Sequence, residues 1–218
     1  MNSNNKRNSV KKDYDLIAGQ YCEEFGEYIE DLDIYEEFEK YLVLGDTILD
    51  LGAGAGRTYC YFNKKGYNYI ALDFSSKMRE CAFKKYGVFP YILDDMVNIK
   101  KHFSNNTIDA VFVLYSLFHL PKDDLENLML DLHDILKNNG LILLSFQLGD
   151  GEAFVDEPYL KSNGQKVLYM NYMDKTQIFD LLKKNKFDIL YTKEKYETGE
   201  NVIGEDGNDA IYIIARNK

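Results

Sequence analysis

The residues with the most chemical content lie in one run, Ile48-Leu49-Asp50-Leu51-Gly52-Ala53-Gly54-Ala55-Gly56-Arg57, and in Leu72-Asp73 at the end of the next apolar run. An apolar strand that stops at a glycine-rich turn and feeds a helix can bring its backbone against a ligand, because glycine has no Cβ to hold the ligand off. Asp73 follows Gly52 by about 20 residues, the separation at which an acidic residue ending the second strand of a βαβ unit accepts hydrogen bonds from both ribose hydroxyls. The chemistry these residues suit is the binding of a nucleoside-containing cofactor.

Gly52 and Asp73 fit NAD and S-adenosylmethionine equally well, and Asp50 separates the two. It sits just before the glycine turn, where a dinucleotide would place its pyrophosphate and a fixed carboxylate would repel it. Adenosylmethionine has a sulfonium and an ammonium there instead, which an acidic edge attracts. Arg57 adds to the case, because the NAD fingerprint places a third small residue at that position for close helix–strand packing.

The chain is similar to the class I adenosylmethionine-dependent methyltransferases, within their broad group of small, mostly uncharacterised or small-molecule enzymes. The motifs that carry the resemblance run from about Tyr14 to the C-terminus. They are Tyr14-Asp15-x-x-Ala18-x-x-Tyr21, the Asp50 to Gly56 loop, Asp73-Phe74-Ser75-x-x-Met78, Asp94-Asp95-Met96, Ile108-Asp109-Ala110-Val111, Phe118-His119-Leu120 and Leu136-Lys137-x-x-Gly140. The resemblance implies a Rossmann-like α/β fold with a seven-stranded, mostly parallel sheet in the order 3-2-1-4-5-7-6.

Methyl transfer is an in-line displacement on an already activated carbon, so the protein must align donor and acceptor and exclude water. No covalent nucleophile is needed. Gly52, Ala53, Gly54 and Gly56 are expected to let the backbone approach the methionine portion and the sugar, with a tight turn as the plain alternative. Asp50 either binds the ammonium or braces the loop. Asp73 either takes the ribose diol or caps the next helix. Phe74 and Met78 belong to the same motif and join the expected contacts. By resemblance, Asp95 and Met96 hold adenine, with Asp94 a competing choice because the acidic doublet leaves the register open by one.

After the fourth strand, Tyr115 and Ser116 are placed to line the methionine end. His119 is either a general base or the cap of the following helix. Tyr14 and Tyr21 lie in an N-terminal helix that, in similar enzymes, folds over the cofactor; Tyr14 and His119 are the two candidates for catalysis. The Asn/Asp-Pro-Pro-aromatic tetrad of enzymes that methylate amino groups of bases or glutamine is missing from the Leu114–Pro121 region, as is a Pro-Cys pair. Both absences point to a small-molecule acceptor rather than nucleic acid. Alternatives are an NAD-dependent oxidoreductase and a protein that binds adenosylmethionine without turnover.

Composition narrows the classes further. With 218 residues, 45% hydrophobic and 28% charged, the chain suits one well-buried domain over 13–218. A net charge of −10 repels nucleic acid. No apolar run is long enough to cross a bilayer, and the polar start resembles no signal peptide, so a cytoplasmic protein is expected. Cys22, Cys60 and Cys81 lie far apart in the sequence and read as small hydrophobes in a reducing compartment. His102, His119 and His133 show no ligand spacing, and no metal is expected.

Positioning these residues requires an alternation of strands and helices. Apolar runs near 46–51, 68–73, 89–93, 108–114 and 141–147 alternate with helical patterns at 56–65, 75–86 and 122–138, which means crossovers and a parallel sheet. A helix near 174–186 ends in Lys183, Lys184 and Lys186, which suit its C-terminus. Strands near 187–196 and 209–216 follow without a crossover and must pair antiparallel. Residues 1–12 read as a disordered, solvated tail and 13–44 as a helical cap. Residues 149–173 fit no regular element and read as a substrate-cover loop with aromatic residues Phe154, Tyr159, Tyr169 and Tyr172.

Overall fold

The computed structural model describes residues 1–24, 31–155, 168–197 and 208–218. Helices α1 (Ser3–Glu24) and α2 (Leu32–Glu39) precede the alternation β1 (Thr47–Leu51), α3 (Arg57–Lys64), β2 (Asn68–Asp73), α4 (Ser76–Tyr86) and β3 (Tyr91–Leu93). A 3-10 turn over Met96–Lys101 leads to β4 (Ile108–Val113), and another over Leu117–His119 leads to α5 (Lys122–Ile135) and β5 (Leu136–Gln147). The chain continues through β6 (Gly151–Val155), β7 (Leu168–Tyr172), α6 (Lys175–Lys184), β8 (Phe187–Glu197) and β9 (Asn208–Asn217).

Seven strands form one sheet in the order β3-β2-β1-β4-β5-β9-β8. Only β9 is reversed, antiparallel to both β5 and β8. Counted along the chain within this sheet, that is the expected 3-2-1-4-5-7-6. Strand alternation splits the core into two layers. Leu49, Leu51, Val111, Val113, Ile142 and Leu144 face α5 and α6, while Ile48, Ala110, Phe112 and Leu143 face α2 and α3. Each of these Leu, Ile, Val and Phe side chains contributes about 1.5–3 kcal/mol on burial. The sheet is therefore rigid, and the loops at its carboxyl edge are left to carry polar groups.

Helix starts follow local chemistry. Ser75 caps α4 by accepting from Met78 N at 3.1 Å, and Asp174 with Gln177 forms a capping box on α6. Lys183 and Lys184 occupy the last turn of α6 as expected.

Two expectations fail on long-range contacts. Residues 3–12 are not a solvated tail but the first part of α1, which packs on α4 and β7. Val10 is only 1% exposed, Lys6 pairs with Glu152, and Arg7 pairs with Asp95 and Asp124. The segment 149–173 is not free of regular structure, since β6 and β7 pair antiparallel from Gly151↔Tyr172 to Val155↔Leu168. Buried Leu168, Tyr169 and Met170 hold that pair against Val10 and Phe118. Tyr159 lies outside the described residues, as do Phe25, Tyr28 and Ile29 of the expected N-terminal helical pattern. The three cysteines are free thiols; Cys81 Sγ donates to the Ala18 carbonyl at 3.6 Å across α1 and α4, and burial beside Cys81 pushes the Cys22 thiol up.

Candidate cofactor cavity

The strand order reverses between β1 and β4, and a cavity opens there at the carboxyl ends of the strands, as open α/β sheets provide. Its floor is the turn after β1. Gly52 has φ +73°, and a Cβ there would lie 2.5 Å from Ser116 Cβ. Ser116 in turn donates to the Leu51 carbonyl at 3.0 Å, so the turn and the end of β4 are locked together. Gly54 lines the cavity with open space where a Cβ would stand. Gly56 does not line it: its missing Cβ faces Phe89 Cζ at 2.9 Å and Ala82 behind the loop. The third glycine is a packing device for α3 and α4, not a contact surface.

Asp73 ends β2 at the cavity wall, 7% exposed. Its Oδ2 accepts from Gly54 N at 2.9 Å and its Oδ1 from Ser75 N at 2.8 Å. The helix-cap alternative is thus settled in favour of Ser75, and Asp73 braces the glycine turn while facing the cavity. Burial pushes its carboxyl up to about 6, against the pull of the backbone donors Ser75, Gly54 and Phe74. Asp50, 3% exposed, lies below the same turn. Burial pushes it up to about 7, against the hydrogen bonds from Tyr69 and Thr58 and the charge of Arg57. Tyr69 Oη donates to Asp50 Oδ2.

The register of the acidic doublet is decided by side-chain direction. Asp95 lines the cavity with Met96, Phe74 and Met78. Asp94 turns away, bonded to His102 Nε2 at 2.7 Å and Asn98 Nδ2 at 2.8 Å. Asp95 also caps the following turn by accepting from Val97 N, and its Oδ2 takes Arg7 Nε at 2.7 Å. Arg7 is a cavity residue that sequence reasoning missed, because nothing local links a basic N-terminus to Asp95 or Asp124.

Opposite the glycine turn, α1 lays Tyr14 and Tyr21 over the cavity. Tyr14 Oη lies 2.9 Å from His119 Nε2, and His119 Nδ1 lies 2.9 Å from the Tyr169 carbonyl. A carbonyl only accepts, so Nδ1 carries the proton, and in the neutral ring Nε2 accepts from the Tyr14 hydroxyl. Burial holds His119 neutral, pushing it down to about 4 against the Tyr169 carbonyl. The cap alternative for His119 fails, since Pro121 occupies the N-cap position of α5 and no side chain caps that helix. Asp15, beside Tyr14, fastens α1 to α4 by accepting from Ser75 Oγ at 2.6 Å and Lys77 N at 3.2 Å.

Tyr115 and Ser116 follow β4 into the cavity. Tyr115 has φ +58°, a left-handed conformation that costs a non-glycine residue about 1–3 kcal/mol. Its N–H is held by Ser145 Oγ at 2.9 Å, and its hydroxyl bonds Asp31 and Tyr212. Tyr35, Arg57, Thr58, Phe112 and Leu114 complete the far end. Of these, Arg57 had a sequence signal, the long cation where a small residue was expected; the others come from strands and helices whose pattern reads only as core.

A mostly parallel sheet of this order with its cavity at the reversal is a Rossmann-like α/β fold, the fold of solved methyltransferases. Residues 49–144 match the family model described as a methyltransferase domain. The fold is similar to that of solved S-adenosylmethionine-dependent methyltransferases, among them one from Methanosarcina mazei that superposes with a TM-score of 0.71 at 17% identity, covering 88% of this chain and 98% of that one. It is 26% identical over 177 residues to an uncharacterised methyltransferase of Oceanobacillus iheyensis, covering 79% of this chain and 78% of that protein. Phosphoethanolamine N-methyltransferase 1 of Triticum aestivum is 29% identical over 60% of this chain. The curated relatives are spanned unequally, from 7% of one and 29% of the wheat protein to 78% of the Oceanobacillus protein. Among solved structures, the 1,6-didemethyltoxoflavin-N1-methyltransferase of Burkholderia thailandensis superposes with a TM-score of 0.75 at 14% identity, covering 100% of this chain and 91% of that one.

Proposed function

We propose that this chain binds S-adenosylmethionine in the cavity at the β1/β4 reversal and transfers its methyl group to a small-molecule acceptor, releasing S-adenosylhomocysteine. The observation that carries the reading is the buried Asp73 carboxylate, which faces the cavity while bracing Gly54. The residues present fit the cofactor. Asp73 suits the ribose diol, Asp95 the adenine amino group, and Met96, Phe74 and Met78 its apolar faces; the open Cβ position of Gly54 leaves room for the sugar. Asp50 supports this cofactor over NAD, because its carboxyl under the glycine turn disfavours a pyrophosphate. When bound, the cofactor supplies an activated methyl group, so the work left to the protein is alignment and exclusion of water.

The similar structure of 1,6-didemethyltoxoflavin-N1-methyltransferase holds 1,6-didemethyltoxoflavin with S-adenosylhomocysteine, which supports a small-molecule acceptor here. Tyr14 and His119 are the groups suited to receive a proton the acceptor loses. The Tyr14 oxygen holds the acceptor hydrogen while its own hydrogen is already directed at His119 Nε2. The Tyr169 carbonyl keeps the tautomer that makes this possible. No described helix is long and apolar enough to cross a membrane, and among the described residues no cluster of His, Cys, Asp or Glu is arranged to hold a metal.

Calorimetry tests the cofactor. Adenosylhomocysteine is expected to bind and NAD not to; tighter binding of NAD would overturn the assignment. Release of adenosylhomocysteine on addition of fractionated small metabolites tests turnover.

The raised carboxyls give a pH dependence with a definite sign. Ribose hydroxyls donate to ionised Asp73 and an ammonium pairs with ionised Asp50, so the ligand favours the deprotonated forms. With Asp73 near 6 and Asp50 near 7 before binding, adenosylhomocysteine affinity should be level above about pH 8. It should fall as the pH drops through 7 and 6, by up to about tenfold per unit for each group that must lose its proton. Affinity unchanged from pH 8 to 5 would show that neither carboxyl meets the ligand.

A further inference from the structure

Two of the three free cysteines stand beside each other although the sequence holds them far apart. Cys81, on α4, donates its Sγ hydrogen to the Ala18 carbonyl of α1 at 3.6 Å. In an α-helix that carbonyl points along the axis toward the residue four positions on, which is Cys22. The Cys81 sulfur therefore sits at the Cys22 turn of α1. Asp15 ties the same two helices one turn earlier, by accepting from Ser75 Oγ and Lys77 N.

Both thiols are partly exposed, so a small oxidant reaches them. A disulfide needs Cα atoms about 4.4–6.8 Å apart, a range reached when a sulfur on one helix touches the backbone of the other. A cysteine with a second one beside it can be oxidised to a bridge, a reaction that a solitary buried thiol does not have. Tyr21, which lines the cavity, immediately precedes Cys22. A covalent tie at this point would hold the cavity wall that α1 supplies.

We propose that Cys22 and Cys81 form a redox-responsive bridge that locks α1 onto α4. With oxidised glutathione as the oxidant, the Cys81 thiolate attacks one sulfur and expels a glutathione thiolate, leaving a mixed disulfide. The Cys22 thiolate then attacks the Cys81 sulfur and expels the second glutathione. Two protein thiols are oxidised to one S–S bond, one glutathione disulfide is reduced to two glutathiones, and these take up the two protons. Burial keeps the proton on Cys22, so the second step is the slow one and quickens as the pH rises. The effect on a bound ligand rests on the cofactor reading, whereas the bridge itself does not.

The full chain, incubated with oxidised glutathione and then alkylated, is read by intact mass and peptide mapping. The expected product has lost two hydrogens, carries the Cys22–Cys81 bridge and keeps Cys60 as its alkylatable thiol. The amides of α1 should then exchange at least about tenfold more slowly, because the tie suppresses local opening. Adenosylhomocysteine should also leave its complex more slowly, and dithiothreitol should reverse both effects. Cys22→Ser should stop at a glutathione adduct on Cys81 with α1 exchange unchanged; Cys81→Ser, which also cannot bridge, serves should that variant fail to fold. Oxidation of the parent that leaves three alkylatable thiols, or ends in glutathione adducts, overturns the proposal, as does a bridge that leaves α1 exchange unchanged. A reduced chain that does not bind adenosylhomocysteine overturns the cofactor reading instead, since mass and exchange are read without the ligand.

Discussion

Asp73→Ala is expected to weaken adenosylhomocysteine binding by at least a hundredfold. The carboxylate meets more than a ribose. Its removal leaves the N–H groups of Gly54 and Ser75 without acceptors beside the cavity, and each unsatisfied buried donor costs about 1–3 kcal/mol. The glycine turn then loses the brace that sets its distance from the ligand, and the ligand loses a charge-assisted pair of hydrogen bonds. Asp73→Asn separates the two effects. An amide keeps one acceptor oxygen but presents its NH2 to the other backbone donor, so it should bind weakly yet better than Ala. Helical content and melting temperature read the loss of the brace; calorimetry reads the loss of the ligand. Asp73→Ala that folds and binds as the parent does would remove Asp73 from the cofactor site.

His119→Gln is expected to cut turnover by roughly a hundredfold or more, the size of a general-base contribution, while adenosylhomocysteine affinity stays within about twofold. Tyr14→Phe should show the same split, because each loses the bond from Tyr14 Oη to His119 Nε2. The double variant should be little worse than either single one, as for groups that act as a unit. The acid limb of the turnover profile discriminates further. An exposed histidine would place it near 6.5, whereas burial places His119 near 4. Turnover should therefore not fall between pH 8 and 5 through His119, and the loss should begin as the pH approaches 4, when the protonated ring gives up the bond it accepts from Tyr14. A limb at 6.5 that vanishes in His119→Gln would mean that the site is open to water during turnover. Unchanged turnover in both variants would leave the pair as a tether between α1 and the turn before α5.

The alternation of apolar strands and helices, the turn from Asp50 to Gly56, the acid ending the second strand and the reversed last strand were all legible in the sequence. Each is a local matter: strand and helix periods, the conformational freedom of glycine, and the absence of a crossover between the last two strands act over a few residues and leave their mark there. The tertiary structure alone decided which side chains converge. Arg7 reaches Asp95 and Asp124, Tyr14 reaches His119, Cys22 reaches Cys81, and Tyr169 fixes the His119 tautomer from a strand pair whose alternation was too short to read. The same holds for the doublet Asp94-Asp95, where local sequence permits either residue and the neighbours His102 and Asn98 claim the first. The physical reason is that contacts across the sheet edge depend on packing and side-chain direction, and so on elements far apart in the chain. Gly56 illustrates both sides: its type announced a turn, but only the ring of Phe89 against its missing Cβ shows that the turn serves packing there and opens to the cavity at Gly54.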